Sequence, residues 1–346
     1  MLRKDFIKNL SLGALAFPFA KNSLIHSNSF SKDLFKISLA QFSLFRLIQS
    51  GKMKPYDFAK ISSELGFKGL EYMSALYKGG FMSDSKFSLA DAIKFANKSN
   101  SLAKEYNQEN VLIMVDVEGN LSAENSSERV TAIENHYKWI DCANRMECHS
   151  IRVNLYGSND PDTWKKSSKE SLNSLCEYAK DFNVDIIVEN HNGLSSNPKL
   201  LVEVIKSLDF KNCGTLPDFG NWCIAQDEEK RNELYALYQR GKPPTDDEIK
   251  SIGDICIEKH DPYEGMKIIL PYAKGVSAKS QFFDLQGNES SIDYNKMLSL
   301  VIESGYKGYI GVEYGGFLMT PIDGTIATKN LPVSYTHLTL PTIYSV

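Results

Sequence analysis

The sequence of 346 residues lacks the signals of several common protein classes. Its six cysteines form no Cys-x-x-Cys pair, which argues against a zinc knuckle or a regular disulfide scaffold. Lys and Arg number 39 against 43 Asp and Glu and are scattered, so the net charge of −4 argues against nucleic-acid binding. No Gly-x-Gly-x-x-Gly motif follows an early strand-like run, which disfavours the alternative of an open doubly wound sheet.

The first residues of the chain have the pattern of an export signal. Arg3, Lys4 and Lys8 precede the apolar run Leu10–Ala20, which is too short to span a bilayer and contains small residues near its end. Arg3-Lys4 resembles a twin-arginine signal in which lysine replaces the second arginine, so the twin-arginine and Sec routes both stay open. We expect a periplasmic or secreted protein with residues 21–35 as a linker and no stable membrane insertion after signal removal. An N-terminal amphipathic helix is the alternative.

The composition of the C-terminal segment 331–346 does not fit the helical pattern of the residues before it. It contains two prolines and several β-branched residues where a helix should be finishing. The segment resembles translated adapter sequence found at the ends of some assembled genes. We expect it to be foreign to the fold or disordered, and His337 is excluded from any site.

Between these ends, a short apolar run followed by a longer amphipathic stretch repeats eight times. Such alternation of strands and helices requires right-handed crossovers and a parallel sheet. We predict an α/β fold, a (β/α)8 barrel that spans residues 36–330. The candidate strands are Lys36–Phe42, Gly69–Met73, Val111–Asp116, Ser150–Leu155, Asp185–Asn190, Cys213–Phe219, Gly275–Ser280 and Tyr309–Tyr314.

A charged segment at about 226–261 interrupts the repeat. It carries a proline turn at Pro243-Pro244 and a capping box from Thr245 to Glu248, and we predict two short helices around the turn. Because it follows the sixth strand, it should lie on the catalytic face of a barrel. A lid, an oligomer contact and a solvated decoration all remain open as its role, so a homo-oligomer is a candidate assembly.

Three of the late strands end in a carboxylate, namely Glu189, Asp218 and Glu313. Neighbouring strands lie about 4.8 Å apart, so these groups should converge at the rim of a barrel. At an effective dielectric near 20, two carboxylates about 4 Å apart repel by about 4 kcal/mol, so they must take up protons, meet a cation or hold a metal ion. Oxygen ligands suit Mg²⁺ or Mn²⁺, and an added imidazole admits Co²⁺ or Zn²⁺. Separate helix caps or surface ion pairs are the alternative.

Four motifs near these positions resemble one known family. Glu-Asn-His at 189–191, Asp-x-x-Asn at 218–221, Ser-Ala-Lys at 277–279 and Gly-Tyr-Ile-Gly-Val-Glu-Tyr at 308–314 look like the xylose isomerase-like barrels of the sugar phosphate isomerase/epimerase family, here of an exported bacterial type. The resemblance implies a divalent metal ion held by Glu189, Asp218, position 277 and Glu313. Ser277 departs from it, since a histidine ligand is expected there. Asn221 also stands where a substrate-binding histidine often follows the aspartate.

The resemblance also implies a reaction, the isomerisation or epimerisation of a carbohydrate through a cis-enediolate. Glu189 and Glu313 are then the catalytic carboxylates. The candidate substrate-binding residues are His191, Asn221, Lys279, Arg152, Asn154 and Glu71. Two alternatives remain: a lyase or hydratase that acts on 3-keto-glycosides, and a non-catalytic carbohydrate-binding barrel.

The export interpretation makes a direct prediction. When the full-length chain is produced in a bacterium, the mature protein should begin near residue 21 and fractionate with the periplasm or the medium. N-terminal sequencing of the fractionated protein measures this. Intact Met1 on cytoplasmic protein would contradict the prediction.

Overall fold

The computed structural model describes residues 35–80, 87–240 and 245–339. The expected export signal, residues 21–34 of the expected linker and residues 340–346 lie outside the described residues, so the interpretations of these segments stay predictions. Within the described ranges, no helix has the length and apolar character needed to cross a membrane.

Eight parallel strands form the barrel in the sheet order β6-β5-β4-β3-β2-β1-β10-β9. Parallel bridges from Thr215 to Ala273 and from Asp218 to Ser277 join the two edges of this sheet, β6 and β9. The predicted (β/α)8 barrel is therefore confirmed. The strands are β1 Lys36–Ala40, β2 Gly69–Met73, β3 Glu109–Met114, β4 Ser150–Val153, β5 Asp185–Glu189, β6 Cys213–Leu216, β9 Val276–Ser280 and β10 Tyr309–Tyr314.

Helices follow the strands and begin at residues suited to capping. The side chains of Ser88, Asn125, Asp160 and Asn197 each accept a hydrogen bond from a backbone N–H in the first turn of the helix that follows. The described helices are α1 Phe45–Gln49, α2 Phe58–Glu64, α3 Leu89–Glu105, α4 Ser126–Arg145, α5 Pro161–Ala179, α6 Pro198–Lys206, α7 Glu228–Gln239, α8 Asp246–Ile252, α9 Pro262–Ile269, α10 Tyr294–Glu303 and α11 Pro321–Thr339.

Two apolar layers hold the barrel together. The larger layer lies between strands and helices and buries Trp139, Trp164 and Trp222 almost completely. Burying a large apolar side chain of this kind stabilises a fold by roughly 1.5–3 kcal/mol. A smaller apolar cluster includes Met114 and Ile187, each two positions before a polar residue at a strand end. Since side chains alternate along a strand, this cluster shares a face with those polar groups.

The segment after β6 contains the two predicted helices, α7 and α8, and a hairpin that the sequence did not indicate. Strands β7 Cys223–Gln226 and β8 Cys256–Lys259 pair antiparallel outside the barrel sheet. A disulfide joins Cys223 to Cys256 and so closes the base of the insertion. Cysteine spacing alone could not select this pair among the six cysteines.

The C-terminal helix α11 runs from Pro321 to Thr339 and so enters the segment that was expected to be foreign to the fold or disordered. Pro332 lies inside the helix, although an internal proline removes one backbone hydrogen bond and costs about 3 kcal/mol or more. Burial explains the continuation, because Leu331 packs against the main apolar core and Pro332 is itself buried. Whether residues 331–346 are foreign to the natural protein stays a prediction.

The disulfide predicts a specific pattern of reactivity and proteolysis. In oxidised protein, a non-reduced digest should contain a peptide that links Cys223 to Cys256. The double substitution Cys223→Ser, Cys256→Ser should lower the free energy that holds the insertion closed by roughly 2–4 kcal/mol. Cleavage between residues 226 and 261 should then be faster.

The double substitution Cys142→Ser, Cys148→Ser is the matched control, because both thiols are buried and free. Limited proteolysis followed by mass spectrometry measures both pairs. Equal cleavage of the insertion in the two double variants would contradict this account of the disulfide.

Candidate functional site

A cavity of about 1440 Å³ opens at the carboxyl ends of the barrel strands. This end of a (β/α)8 barrel collects side chains from several strands, because the loops that follow the strands surround it. The wall also includes residues of the insertion, such as Gln226, Arg231, Tyr235 and Glu258. The polar barrel residues that line the cavity include Asp116, Arg152, Asn154, Glu189, His191, Lys279 and Glu313.

Arg152 on β4 joins two carboxylates. Its Nη1 donates to Asp116 Oδ1 at 2.8 Å, and its Nε lies 2.9 Å from Glu189 Oε2. Asn154 Nδ2 donates to the same Asp116 oxygen at 3.0 Å. Met114 pairs with Arg152 in the sheet, so Asp116, two positions beyond the end of β3, stands beside Asn154, which follows the end of β4. The predicted common face of Arg152 and Asn154 therefore forms part of the cavity wall.

Lys279 and Glu313 form the second buried ion pair. The register of β9 and β10 places these two residues directly opposite each other, and Lys279 Nζ donates to Glu313 Oε1 at 2.5 Å. The ammonium group also lies 5.2 Å from the centroid of the Phe42 ring, a favourable cation–π distance. Both charged side chains are more than nine-tenths buried. They form one pair of charges on the cavity wall.

Asp218 does not line this cavity, although it was predicted as a metal ligand beside Glu189 and Glu313. Its Oδ1 accepts from the backbone N–H groups of Gly220 and Asn221, both at 2.8 Å, and its Oδ2 accepts from Ser277 Oγ at 2.6 Å. The side chain is fully buried between β6 and β9. Asp218 thus stabilises the closure of the barrel and the turn that follows β6.

Asn190 and Asn221 hold Glu189 in place. The Asn190 amide donates to the carbonyl oxygens of Asp218 and Asn221, and its Oδ1 accepts from the Asp218 N–H at 2.7 Å. This side chain fixes the turn after β6 against the end of β5. Asn221 Nδ2 then donates to Glu189 Oε1 at 2.9 Å. Asn221, predicted to contact substrate, contacts the candidate catalytic carboxylate and is not part of the cavity lining.

His191 faces the cavity beside Tyr156, and its Nδ1 makes a hydrogen bond with the Tyr156 hydroxyl. Burial, together with the nearby charges of Arg152 and Lys279, lowers the pKa of His191 to about 3. The imidazole is therefore neutral at physiological pH. Its predicted role as a substrate contact remains a prediction, and Tyr156 is an additional wall residue.

Glu71, another predicted substrate contact, lies in the barrel interior and does not line the cavity. Its Oε1 accepts a hydrogen bond from Ser38 Oγ at 2.5 Å. Gly311 leaves room for this carboxyl group, since a Cβ there would lie 2.4 Å from Glu71 Oε2. Burial raises the pKa of Glu71 to about 8, so at neutral pH the group is mostly protonated and makes no strong charge beneath the site.

The carboxylates above Glu71 also hold protons more tightly than usual. Burial raises the pKa of Glu189 to about 7 against the opposing effect of the Arg152 guanidinium. Burial likewise raises the pKa of Asp218 to about 7, against Lys279. For Lys279, burial acts to lower the pKa, but the surrounding carboxylates outweigh it and raise the pKa above the ordinary range. Glu189 therefore titrates near neutrality beside permanently charged cations, as a proton-transfer group requires.

These contacts decide how well the site suits a divalent ion. Asp218 is turned into the barrel wall, while Glu189 and Glu313 each lie beside a cationic side chain. Among the described residues, no group of three or more His, Cys, Asp or Glu side chains is placed to hold a metal ion. The donor set that the family resemblance implied does not fit a divalent ion in this arrangement.

Comparisons with known proteins agree with the fold. The family model described as xylose isomerase-like TIM barrel matches residues 59–327. No protein of curated function is similar to the chain at a significant level.

Three solved structures illustrate the likeness. A D-tagatose 3-epimerase-like protein is 17% identical, with 89% of this chain and 100% of that chain covered and a TM-score of 0.61. The 3-keto-D-glucoside 4-epimerase from E. coli is 12% identical, with 87% and 99% covered and a TM-score of 0.57. A xylose isomerase-like TIM barrel protein from Mycobacterium smegmatis in complex with magnesium is 16% identical, with 82% and 88% covered and a TM-score of 0.52.

At such low identities these structures support the fold alone. The family model has greater weight, because it covers most of the barrel from α2 to the first turns of α11. The chain belongs to the xylose isomerase-like TIM barrel family.

Proposed function

We propose that this protein is an isomerase or epimerase that moves a proton next to the carbonyl group of a sugar or sugar derivative. The observation that carries the proposal is a set of buried polar atoms on the cavity wall. Of the side chains that the structure describes, Arg152 Nε, Asp116 Oδ2 and Asn154 Oδ1 are buried there without a hydrogen-bond partner. Arg152 Nε lies near Glu189 but does not direct its N–H at the carboxylate.

One donor and two acceptors, all on residues that line the cavity, match the hydroxyl groups of a carbohydrate, each of which can donate and accept a hydrogen bond. Buried polar atoms without partners are costly, at roughly 1–3 kcal/mol each, and a bound polyol would satisfy them. The names of the neighbours are consistent with this ligand class, since they include a D-tagatose 3-epimerase-like protein and a 3-keto-D-glucoside 4-epimerase.

In the proposed reaction, the Glu189 carboxylate removes the proton from the carbon next to the substrate carbonyl. The C–H electron pair forms a carbon–carbon double bond, and the carbonyl π electrons move onto oxygen to give an enediolate. Lys279 and Arg152 stabilise the negative charge on that oxygen. An isomerisation is complete when Glu189 returns the proton to the former carbonyl carbon and the proton of the neighbouring hydroxyl group passes to the former carbonyl oxygen. For an epimerisation, Glu313 takes up a proton from solvent and delivers it to the opposite face of the same carbon, while Glu189 releases its proton to solvent. Lys279 holds the Glu313 carboxyl group in position.

The size of the cavity favours a second candidate, a lyase that acts on 3-keto-glycosides. At about 1440 Å³ the cavity exceeds the roughly 300–1,000 Å³ of ordinary small-molecule sites. The insertion forms part of its wall, where Tyr235 is exposed and Arg231 and Glu258 add polar groups. A second sugar ring would occupy this space. Deprotonation next to the 3-keto group would then expel the group at the anomeric carbon, with a proton, as the free aglycone.

An exported setting is part of this proposal. The disulfide between Cys223 and Cys256 supports it, because structural disulfides persist in oxidising compartments.

The first prediction from this proposal concerns Glu189→Gln. The amide cannot accept the carbon-bound proton, so we expect the rate of proton exchange to fall by about 10²–10⁴-fold. D-tagatose, D-psicose and a 3-keto-D-glucoside in deuterated buffer are the probes, with deuterium next to the carbonyl measured by NMR. The same spectra distinguish an epimer from a released aglycone.

Glu109→Gln is the matched control, because Glu109 is an exposed glutamate at the start of β3, paired with Lys36. It should leave exchange unchanged. Sugar binding by wild type without any deuterium incorporation would favour the non-catalytic binding barrel and refute the enzyme proposal.

A second prediction concerns pH. Glu189 acts as a base only when ionised, so kcat/KM should fall about tenfold per unit as pH drops below its pKa of about 7. Asn221→Leu removes the N–H donor that stabilises the ionised form, so the acidic limb should move to higher pH. Asn212→Leu is the control, because it loses a hydrogen bond from the side-chain amide to the Cys176 backbone carbonyl, away from the cavity. An unchanged limb in Asn221→Leu would show that another group sets it.

A further inference from the structure

The wall of the cavity is arranged around fixed cations. Arg152 on β4 lies beside the carboxylates of Asp116 and Glu189, and Lys279 on β9 lies beside Glu313. Each carboxylate that lines the cavity deep in the barrel therefore already has a charged partner within 3 Å. A divalent ion at the same place would have to displace these cations or sit beside them, against strong repulsion in a low-dielectric site.

The position of Asp218 makes the same point independently. Three donors, two backbone N–H groups and the Ser277 hydroxyl, hold its two carboxylate oxygens. Turning this group towards the cavity would leave those donors buried and unpaired. Ser277 itself offers a neutral hydroxyl where an imidazole would be a much stronger ligand for a transition metal.

The cations are set by the architecture of the sheet. Lys279 and Glu313 are paired residues in the register of β9 and β10, so their contact follows from the backbone. Arg152 stands on the strand next to β5, where Ile187 is its partner in the register and Glu189 lies two positions beyond. Both cations thus lie close to the place where an enediolate oxygen would form next to Glu189 and Glu313.

We infer that Lys279 and Arg152 take the place of a divalent ion in this barrel, so that the site binds no stoichiometric divalent metal. Their catalytic part rests on the proposed function, since it is the enediolate charge that they would stabilise. The metal content of the protein does not rest on it and can be tested with no substrate present.

The test is to incubate purified full-length wild type with MnCl₂, MgCl₂, CoCl₂ or ZnCl₂ in separate samples, remove unbound ions by gel filtration and measure metal per chain by mass spectrometry. Wild type should retain no stoichiometric ion. One ion per chain that is lost in Glu189→Gln would overturn the inference.

A double variant designed to bind metal more tightly than wild type makes the test more specific. Ser277→His combined with Lys279→Gln supplies an imidazole and removes a cation, so this double variant should retain more Mn²⁺ than wild type. Lys36→Gln, which neutralises an exposed lysine paired with Glu109, is the charge control and should behave as wild type. Equal retention by all three proteins would contradict the claim that Lys279 excludes the ion.

The effect of EDTA on the rate of deuterium exchange is a separate test of the inference. If wild type exchanges deuterium into any of the sugars named above, EDTA should leave the rate unchanged, and loss of exchange that Mn²⁺ restores would overturn the inference. If no sugar exchanges, the proposed function fails, yet the metal content still decides whether the two cations replace the ion.

Discussion

The charge balance at the mouth of the barrel is the constraint on which the site depends. Asp116, Glu189 and Glu313 are almost entirely removed from water, and such carboxylates are tolerated only beside protons, cations or strong donors. Arg152 and Lys279 satisfy the requirement from neighbouring strands. Removing one partner from a buried pair of this kind typically costs about 3–5 kcal/mol, so each cation stabilises the fold.

The need to satisfy a buried carboxylate also explains how the barrel closes between β6 and β9. No continuous ladder joins these strands, and Asp218 supplies the missing connection by accepting hydrogen bonds from Ser277 and from the turn after β6. Asn190 fixes the same turn from the end of β5. The turn then places the Asn221 amide against the Glu189 carboxylate. The closure of the barrel and the orientation of the candidate base are therefore one hydrogen-bonded unit.

Sequence patterns predicted the barrel well, because strand periodicity and helix signals depend on neighbouring residues. All eight candidate strands overlap strands of the barrel, and Glu189 and Glu313 do stand together at its mouth. Asp116 was missed as a site residue. It lies two positions after Met114, so its side chain points to the same face of the sheet as Arg152. Which donors a carboxylate meets depends on contacts between distant strands, so the inward turn of Asp218 could not be foreseen. The pairing of Cys223 with Cys256 is non-local for the same reason.

The site also separates chemistry from selectivity. The groups that the proposed reaction would use lie on barrel strands, where sheet hydrogen bonds fix their positions, whereas part of the outer wall belongs to the insertion closed by the disulfide. Rigid strands suit proton transfer, which depends on distances of a few tenths of an ångström. An insertion that carries Tyr235, Arg231 and Glu258 can change in sequence without disturbing the charge pairs below it. Under the proposed function, the insertion, more than the barrel residues, should therefore determine how large a carbohydrate the protein accepts.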